Sequence, residues 1–194
     1  MRAPYSIRVV GDPVLRARAA DVTDIDGKLA RLADDMLETM YQAPGLGLAA
    51  PQIGVGKRLF VYDLDVEERG DPRVLINPQI VESDGEWTYP EGCLSIPGLS
   101  YEIVRPKVVH LTGLDLDGNE VSVEADELLG RLFQHELDHL DGVLMTERMD
   151  PDTRKQAMAD IRALQSDLDI DGAPLVGEPR RGLRKGARKG FRLP

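Results

Sequence analysis

The chain has 194 residues, 42% of them hydrophobic and 30% charged, which suits a globular domain with one core and excludes a chain too polar to bury one. No apolar run approaches the length needed to cross a bilayer, and the start MRAPYSIRVVGDP lacks the apolar centre of a secretory signal. The net charge of −10 is unevenly spread: residues 172–194 hold seven bases and one acid, a net of +6, leaving −16 on the remainder. The expected organisation is therefore one folded domain over residues 1–171 and a basic, Gly/Pro-rich tail over 172–194, mobile unless bound. The single cysteine, Cys93, excludes an intrachain disulfide and points to a reducing cytoplasm.

In chain order, GDPVLR at 11–16 reads as a turn into an extended segment. The three-and-four spacing of Leu29, Leu32, Ala33, Met36, Leu37 and Met40 predicts a helix from about Asp24, as N-cap, to Gln42. Met36 and Met40 are expected in its core-facing stripe. GLGLAAPQIG at 45–54 reads as a helix-to-strand loop whose small residues allow another chain to approach the backbone. Its one polar side chain, Gln52, offers an amide N–H.

The middle of the chain is β-branched and apolar. Strands are expected at 58–64, 73–78, 79–83, 104–115 and 120–125, with LDGN at 116–119 as a hairpin turn. A helix is expected from about Ala125 to Asp141, stopped by Gly142, with Leu128, Leu132, His135 and His139 on one face. A last helix begins at Pro151 behind an Asp150 cap. The predicted class is α+β: antiparallel or mixed sheets around a central H-E-x-x-H helix, with one helix N-terminal and one C-terminal to them.

QHELDHLDG at 134–142 holds two of the chain's three histidines. Four residues are a little over one helical turn, so His135 and His139 project together and are spaced to hold one metal ion. Glu136 lies about 100° round the helix, a place for a general base rather than a ligand. A hydrolytic site needs a third protein ligand. His110, within the strand VVHLTG, is one candidate. Cys93, in EGCLSIPG, is the other, although a lone cysteine is more often a core thiol.

Three stretches taken together resemble one family. GLGLAAPQ is similar to a G-x-G-x-A-A-x-Q pattern, EGCLS to E-G-C-x-S, and QHELDH to Q-H-E-x-D-H, in the order found in peptide deformylases. The GDPVLR start is also similar, and the resemblance spans roughly residues 5–150. It implies Cys93, His135 and His139 as ligands of one divalent metal ion, Fe2+ in the native enzyme, with Zn2+, Ni2+ or Co2+ as other occupants. It implies Glu136 as general acid/base, and Gln52 with the backbone N–H of Leu94 as the oxyanion hole. Gln134 would stand behind the metal. Backbone around Leu46, Gly47 and Gly92 would seat the substrate as an added strand, and Leu46, Leu128 and Leu132 would line a pocket for a methionine side chain. The implied reaction removes the formyl group from formylmethionyl nascent peptides and releases formate. The implied protein is a cytoplasmic monomer with no membrane partner, and its basic tail is suited to ribosomal RNA.

Two rivals remain. A broader zinc endopeptidase would take its third ligand downstream of the helix, where only Glu147 and Glu178 are suitable. A catalytically inert relative would bind peptide N-termini without cleaving them.

Overall fold

The computed structural model describes residues 4–171, and the basic tail lies outside them. After a short 3-10 turn at Pro13–Arg16, the elements are α1 (Gly27–Gln42), β1 (Gly47–Ala49), β2 (Leu59–Tyr62), β3 (Arg73–Asp84), β4 (Trp87–Cys93), β5 (Ile96–Arg105), β6 (Val108–Leu114), β7 (Glu120–Asp126), α2 (Glu127–Leu140) and α3 (Pro151–Asp171). The fold is α+β. Five antiparallel strands form one sheet in the order β1-β2-β3-β6-β7, and β4 and β5 form a second, two-stranded sheet.

Period-two alternation in the sheet explains the helix positions. Leu48, Leu59, Val61 and Ile76 pack with Met36 and Met40 of α1. Their neighbours Ala49, Phe60 and Leu75 pack with Leu132, Phe133 and Leu140 of α2. Adjacent strand residues point to opposite faces, so the sheet is covered by α1 on one side and α2 on the other. A third cluster joins Ile96 and Ile103 of β5 to Met145, Met149 and Ala157 and Ile161 of α3. The H-E-x-x-H helix thus lies centrally, as expected. Among the described residues no helix is long and apolar enough to cross a membrane.

Several boundaries differ from the sequence reading. The N-cap of α1 is Asp26, not Asp24: its carboxylate accepts from Lys28 N and Leu29 N, both at 2.9 Å. GDPVLR does not run into an extended segment. Asp12 accepts from Val14 N at 3.0 Å and starts the 3-10 turn. The two strands expected at 73–83 are one, interrupted by a bulge at Asn77, whose φ is 51°. The Asn77 amide binds both Val22 N and Val22 O, which holds that irregular backbone. Asp150 caps α3 through Asp152 N and Thr153 N, both at 3.0 Å, as read.

The β4–β5 hairpin was largely missed. Pro90, Gly92, Pro97 and Gly98 read as breaks, but a strand paired on one side only tolerates them. It matters for the site, because Cys93 ends β4.

Candidate active site

Trp87, Tyr89, Glu91 and Cys93 alternate along β4 with solvent-facing residues, and this inward face meets α2. His135 and His139 rise from α2 toward Cys93. Cys93 Sγ lies 3.2 Å from His139 Nε2, which lies 3.2 Å from His135 Nε2. The three donor atoms all fall within 4.8 Å of one another.

Glu91 explains the orientation of His135. Its Oε1 lies 2.7 Å from His135 Nδ1, so the ring donates there, and in its neutral form it offers its Nε2 lone pair to the centre of the cluster. Glu91 also accepts from Arg105 Nε at 2.8 Å, Arg105 NH2 at 2.7 Å and Arg131 NH1 at 2.9 Å. Burial alone would raise the Glu91 carboxyl, but His135 and Arg105 hold it well below the usual carboxylate range. Burial likewise opposes charge on Cys93 and His135. The imidazoles nonetheless bring the thiol well below its ordinary value, and the thiolate and Glu91 raise the ring well above its own. A thiolate and two imidazole nitrogens converging on one point suit a borderline divalent cation, so the residues present fit the metal that the sequence implied.

Glu136 stands beside these donors and lines the cavity in front of them. It is 4% exposed, and its Oε2 is buried without a partner among the described residues. Burial is the main cause that raises its pKa to about 7, outweighing the lowering by His135 and His139, while Cys93 and Glu91 add to the rise. Gln52, in the 3-10 turn Ala50–Ile53, accepts from Ala49 N at 2.8 Å through Oε1. That fixes the amide so that Nε2 lies 3.2 Å from Ser95 Oγ and 3.7 Å from Cys93 Sγ. Leu94 and Ser95 form the two-residue turn between β4 and β5, and Ser95 N donates to Cys93 Sγ at 3.4 Å.

A cavity of about 700 Å³ opens in front of Cys93, His135 and Glu136. Leu46, Gly47, Gly92, Leu128 and Leu132 all line it, as do Gln52 and Leu94. His139 lies behind, 2% exposed. The cavity runs between the outer side of β1, at the end of the large sheet, and β4, whose ladder is made to β5 alone among the described residues.

The other sequence candidates lie elsewhere. His110 faces Ser122 Oγ at 2.7 Å on the β6–β7 ladder and is outside the cluster. Gln134, next to His135 in the chain, donates to Pro106 O and Gly130 O, each at 3.0 Å, fastening α2 to the turn before β6. Glu147 pairs with Arg16. Glu178 falls outside the described residues. Sequence reading missed Glu91, Arg105, Arg131 and Asp138. The available signal was the i, i+2 spacing of Glu91 and Cys93, which has meaning only once β4 is known to be a strand.

A family model for polypeptide deformylases matches residues 4–155. A peptide deformylase of Acidothermus cellulolyticus is 51% identical over 156 residues, covering 80% of this chain and 84% of that relative. The crystal structure of the Thermus thermophilus peptide deformylase aligns with TM-score 0.79 and 42% identity, over 87% of this chain and 99% of that one. The Synechococcus elongatus peptide deformylase, solved in complex with actinonin, aligns with TM-score 0.77 and 41% identity, over 88% and 89%.

Proposed function

The chain belongs to the polypeptide deformylase family and is a metal-dependent hydrolase that removes the N-terminal formyl group from formylmethionyl nascent peptides; on that premise we propose that Cys93, His135 and His139 hold its single divalent metal ion. The convergence of their three donor atoms beside a buried carboxylate carries this reading. The native ion in this reading is Fe2+, and Zn2+, Ni2+ or Co2+ can take the same donors. Bound there, the ion supplies Lewis acidity, lowering the pKa of a water and polarising the formyl oxygen.

Glu136 accepts a proton from the attacking water, and burial has already raised its affinity for that proton. It returns the proton to the amide nitrogen as the C–N bond breaks, leaving formate and a free amine. Gln52 Nε2 and the Leu94 backbone N–H donate to the formyl oxygen as negative charge develops there. The peptide lies as an added strand along Leu46, Gly47 and Gly92, in the cleft between β1 and β4. Leu46, Leu128 and Leu132 receive the methionine side chain. In this reading a tight pocket near Gly47 and Leu94 refuses acyl groups larger than formyl; the close approach of Glu136 to Gly47 and of the Leu94 side chain to Gly45 supports it.

The enzyme works in the cytoplasm as a monomer, and the basic tail contacts ribosomal RNA through its seven cationic side chains. Metal analysis after purification without air tests the core of the reading. One iron per chain is expected, with iron lost and no metal regained in Cys93→Ser. Full metal content and activity in that variant would remove Cys93 from the ligand set.

A further inference from the structure

A chain of ion pairs, joined at Glu91 by a branch from Arg131, runs from the surface to a metal ligand. Arg148 ends the 3-10 turn Met145–Glu147 that follows α2, and its side chain is 49% exposed. Its NH2 lies 2.6 Å from Asp138 Oδ1 and its Nε lies 3.1 Å from Asp138 Oδ2. Arg105 NH1 takes the same Oδ2 at 2.8 Å, and Arg105 turns its remaining nitrogens, Nε and NH2, to Glu91. Glu91 Oε1 then holds His135 Nδ1. Every link inside Arg148 is nearly sealed: Asp138, Arg105 and Glu91 side chains are 9%, 4% and 5% exposed.

We propose that Arg148 is a positioning residue for His135, acting through Asp138, Arg105 and Glu91. The proposal rests on the reading of Cys93, His135 and His139 as the metal ligands. Buried ion pairs of this kind are weak evidence for stability, because desolvation offsets most of their attraction. Their value here is geometric. Arg105 divides its guanidinium between two carboxylates, so its angle depends on both. With Arg148 gone, Asp138 Oδ1 loses its donor and Asp138 has only Arg105 to bind. A carboxylate paired end-on with Arg105 would take one N–H from NH1 and one from NH2, and NH2 is a nitrogen that now holds Glu91, so the guanidinium swings toward Asp138. Glu91 then loosens its grip on His135 Nδ1. Asp138 also sits on α2 between the two ligand histidines, so the anchor and the ligands share one rigid element.

The test uses cobalt-loaded protein, with release into excess EDTA followed by the loss of cobalt absorption. Removing an outer partner of a ligating histidine typically weakens metal binding ~10–100-fold. Arg148→Met keeps the apolar stem, and it should release cobalt on the order of tenfold faster than wild type. Arg148→Lys, which keeps the charge but loses the fork, should fall between. In a Glu91→Gln background the Arg148→Met change should add nothing, because the chain is already cut. Release at the wild-type rate in Arg148→Met, or in Arg148→Lys should the first variant fail to fold, overturns the proposal. So does an equal acceleration in the Glu91→Gln background, which would mark a general loss of stability. The ligand reading is checked first and separately: wild-type protein without a thiolate-to-cobalt band would refute Cys93 as ligand before any variant is compared.

Discussion

A Cβ atom on Gly47 would lie 2.5 Å from Glu136 Oε1 and 3.0 Å from its Cδ. The edge of β1 and the carboxylate of α2 therefore meet with room for a hydrogen and nothing larger. The glycine is needed here for proximity, and the contact ties β1 to the Glu136 carboxylate in one geometry.

Gly47→Ala should accordingly push Glu136 out of place while leaving Cys93, His135 and His139 where they are. Displacement of a reacting group by about 1 Å can cost about 100-fold in rate, and a kcat loss of that order is expected. Metal content per chain should stay at the wild-type value. A kcat within twofold of wild type would show that Glu136 relaxes without consequence.

Glu136→Ala should retain metal, because the side chain is not among the three converging donors. Formate release from a formylmethionyl peptide should fall by roughly 10²–10⁴, the usual contribution of a positioned acid/base. Deformylation near the wild-type rate would remove the proton-transfer role.

The histidine pair and its glutamate were legible because helical spacing is a local property: residues four apart on one turn meet whatever the rest of the fold does. The strand at Leu59, Phe60 and Val61 was legible from its short run of apolar, β-branched and aromatic residues, also a local property. Cys93 was not legible from its own surroundings. Its partners lie on α2, 42 and 46 residues away in sequence, and that pairing is set by how the hairpin packs, not by local pattern. Glu91 was read only as part of a motif, since its four donors come from β5 and α2. Arg105 falls inside the strand expected at 104–115, whereas it ends β5. Its true place beside Glu91 depends on the Trp87↔Arg105 register of a hairpin whose prolines and glycines read as loop.

The raised Glu136 carboxyl predicts a stability signature in metal-free protein. Its folded pKa is about 7 against an ordinary 4.5, so the folded state binds the proton more tightly than the unfolded one. The stability this gives is fully present below pH 4.5 and is lost as pH rises through about 7. At about 1.4 kcal/mol per pKa unit, the loss across that window is about 3 kcal/mol. Other groups at the site titrate too, so the quantity to measure is the difference between wild type and Glu136→Gln by urea unfolding across pH 4–8. That difference should change by an amount of this order in favour of the glutamine variant as pH rises. A flat difference would mean that Glu136 is solvated in the metal-free protein.

Gln52→Ala tests the proposed oxyanion donor separately from the metal site. Loss of one such donor typically costs ~2.7–4 kcal/mol in transition-state stabilisation, or ~10²–10³ in kcat. The same change removes the acceptor of Ala49 N, so a further ~1 kcal/mol of folding stability should be lost. KM should change far less than kcat. A variant whose loss lies entirely in KM would make Gln52 a substrate contact instead of an oxyanion donor.

The basic tail gives the last prediction. Residues 172–194 carry +6 while the remainder carries −16, so the two parts should respond oppositely to a polyanion. The acidic body alone is repelled by ribosomal RNA, and the tail is the segment able to overcome this. Truncation after Asp171 should therefore reduce co-sedimentation with ribosomes at low salt, where phosphate contacts are strongest. Raising the salt should erase the difference between full-length and truncated protein, since screening weakens exactly those contacts. Formate release from a short formylated peptide should be unchanged, because among the described residues the three converging donors and the cavity lining all lie before residue 141. Equal co-sedimentation of the two forms at low salt would remove the ribosomal role of the tail and leave the catalytic reading intact.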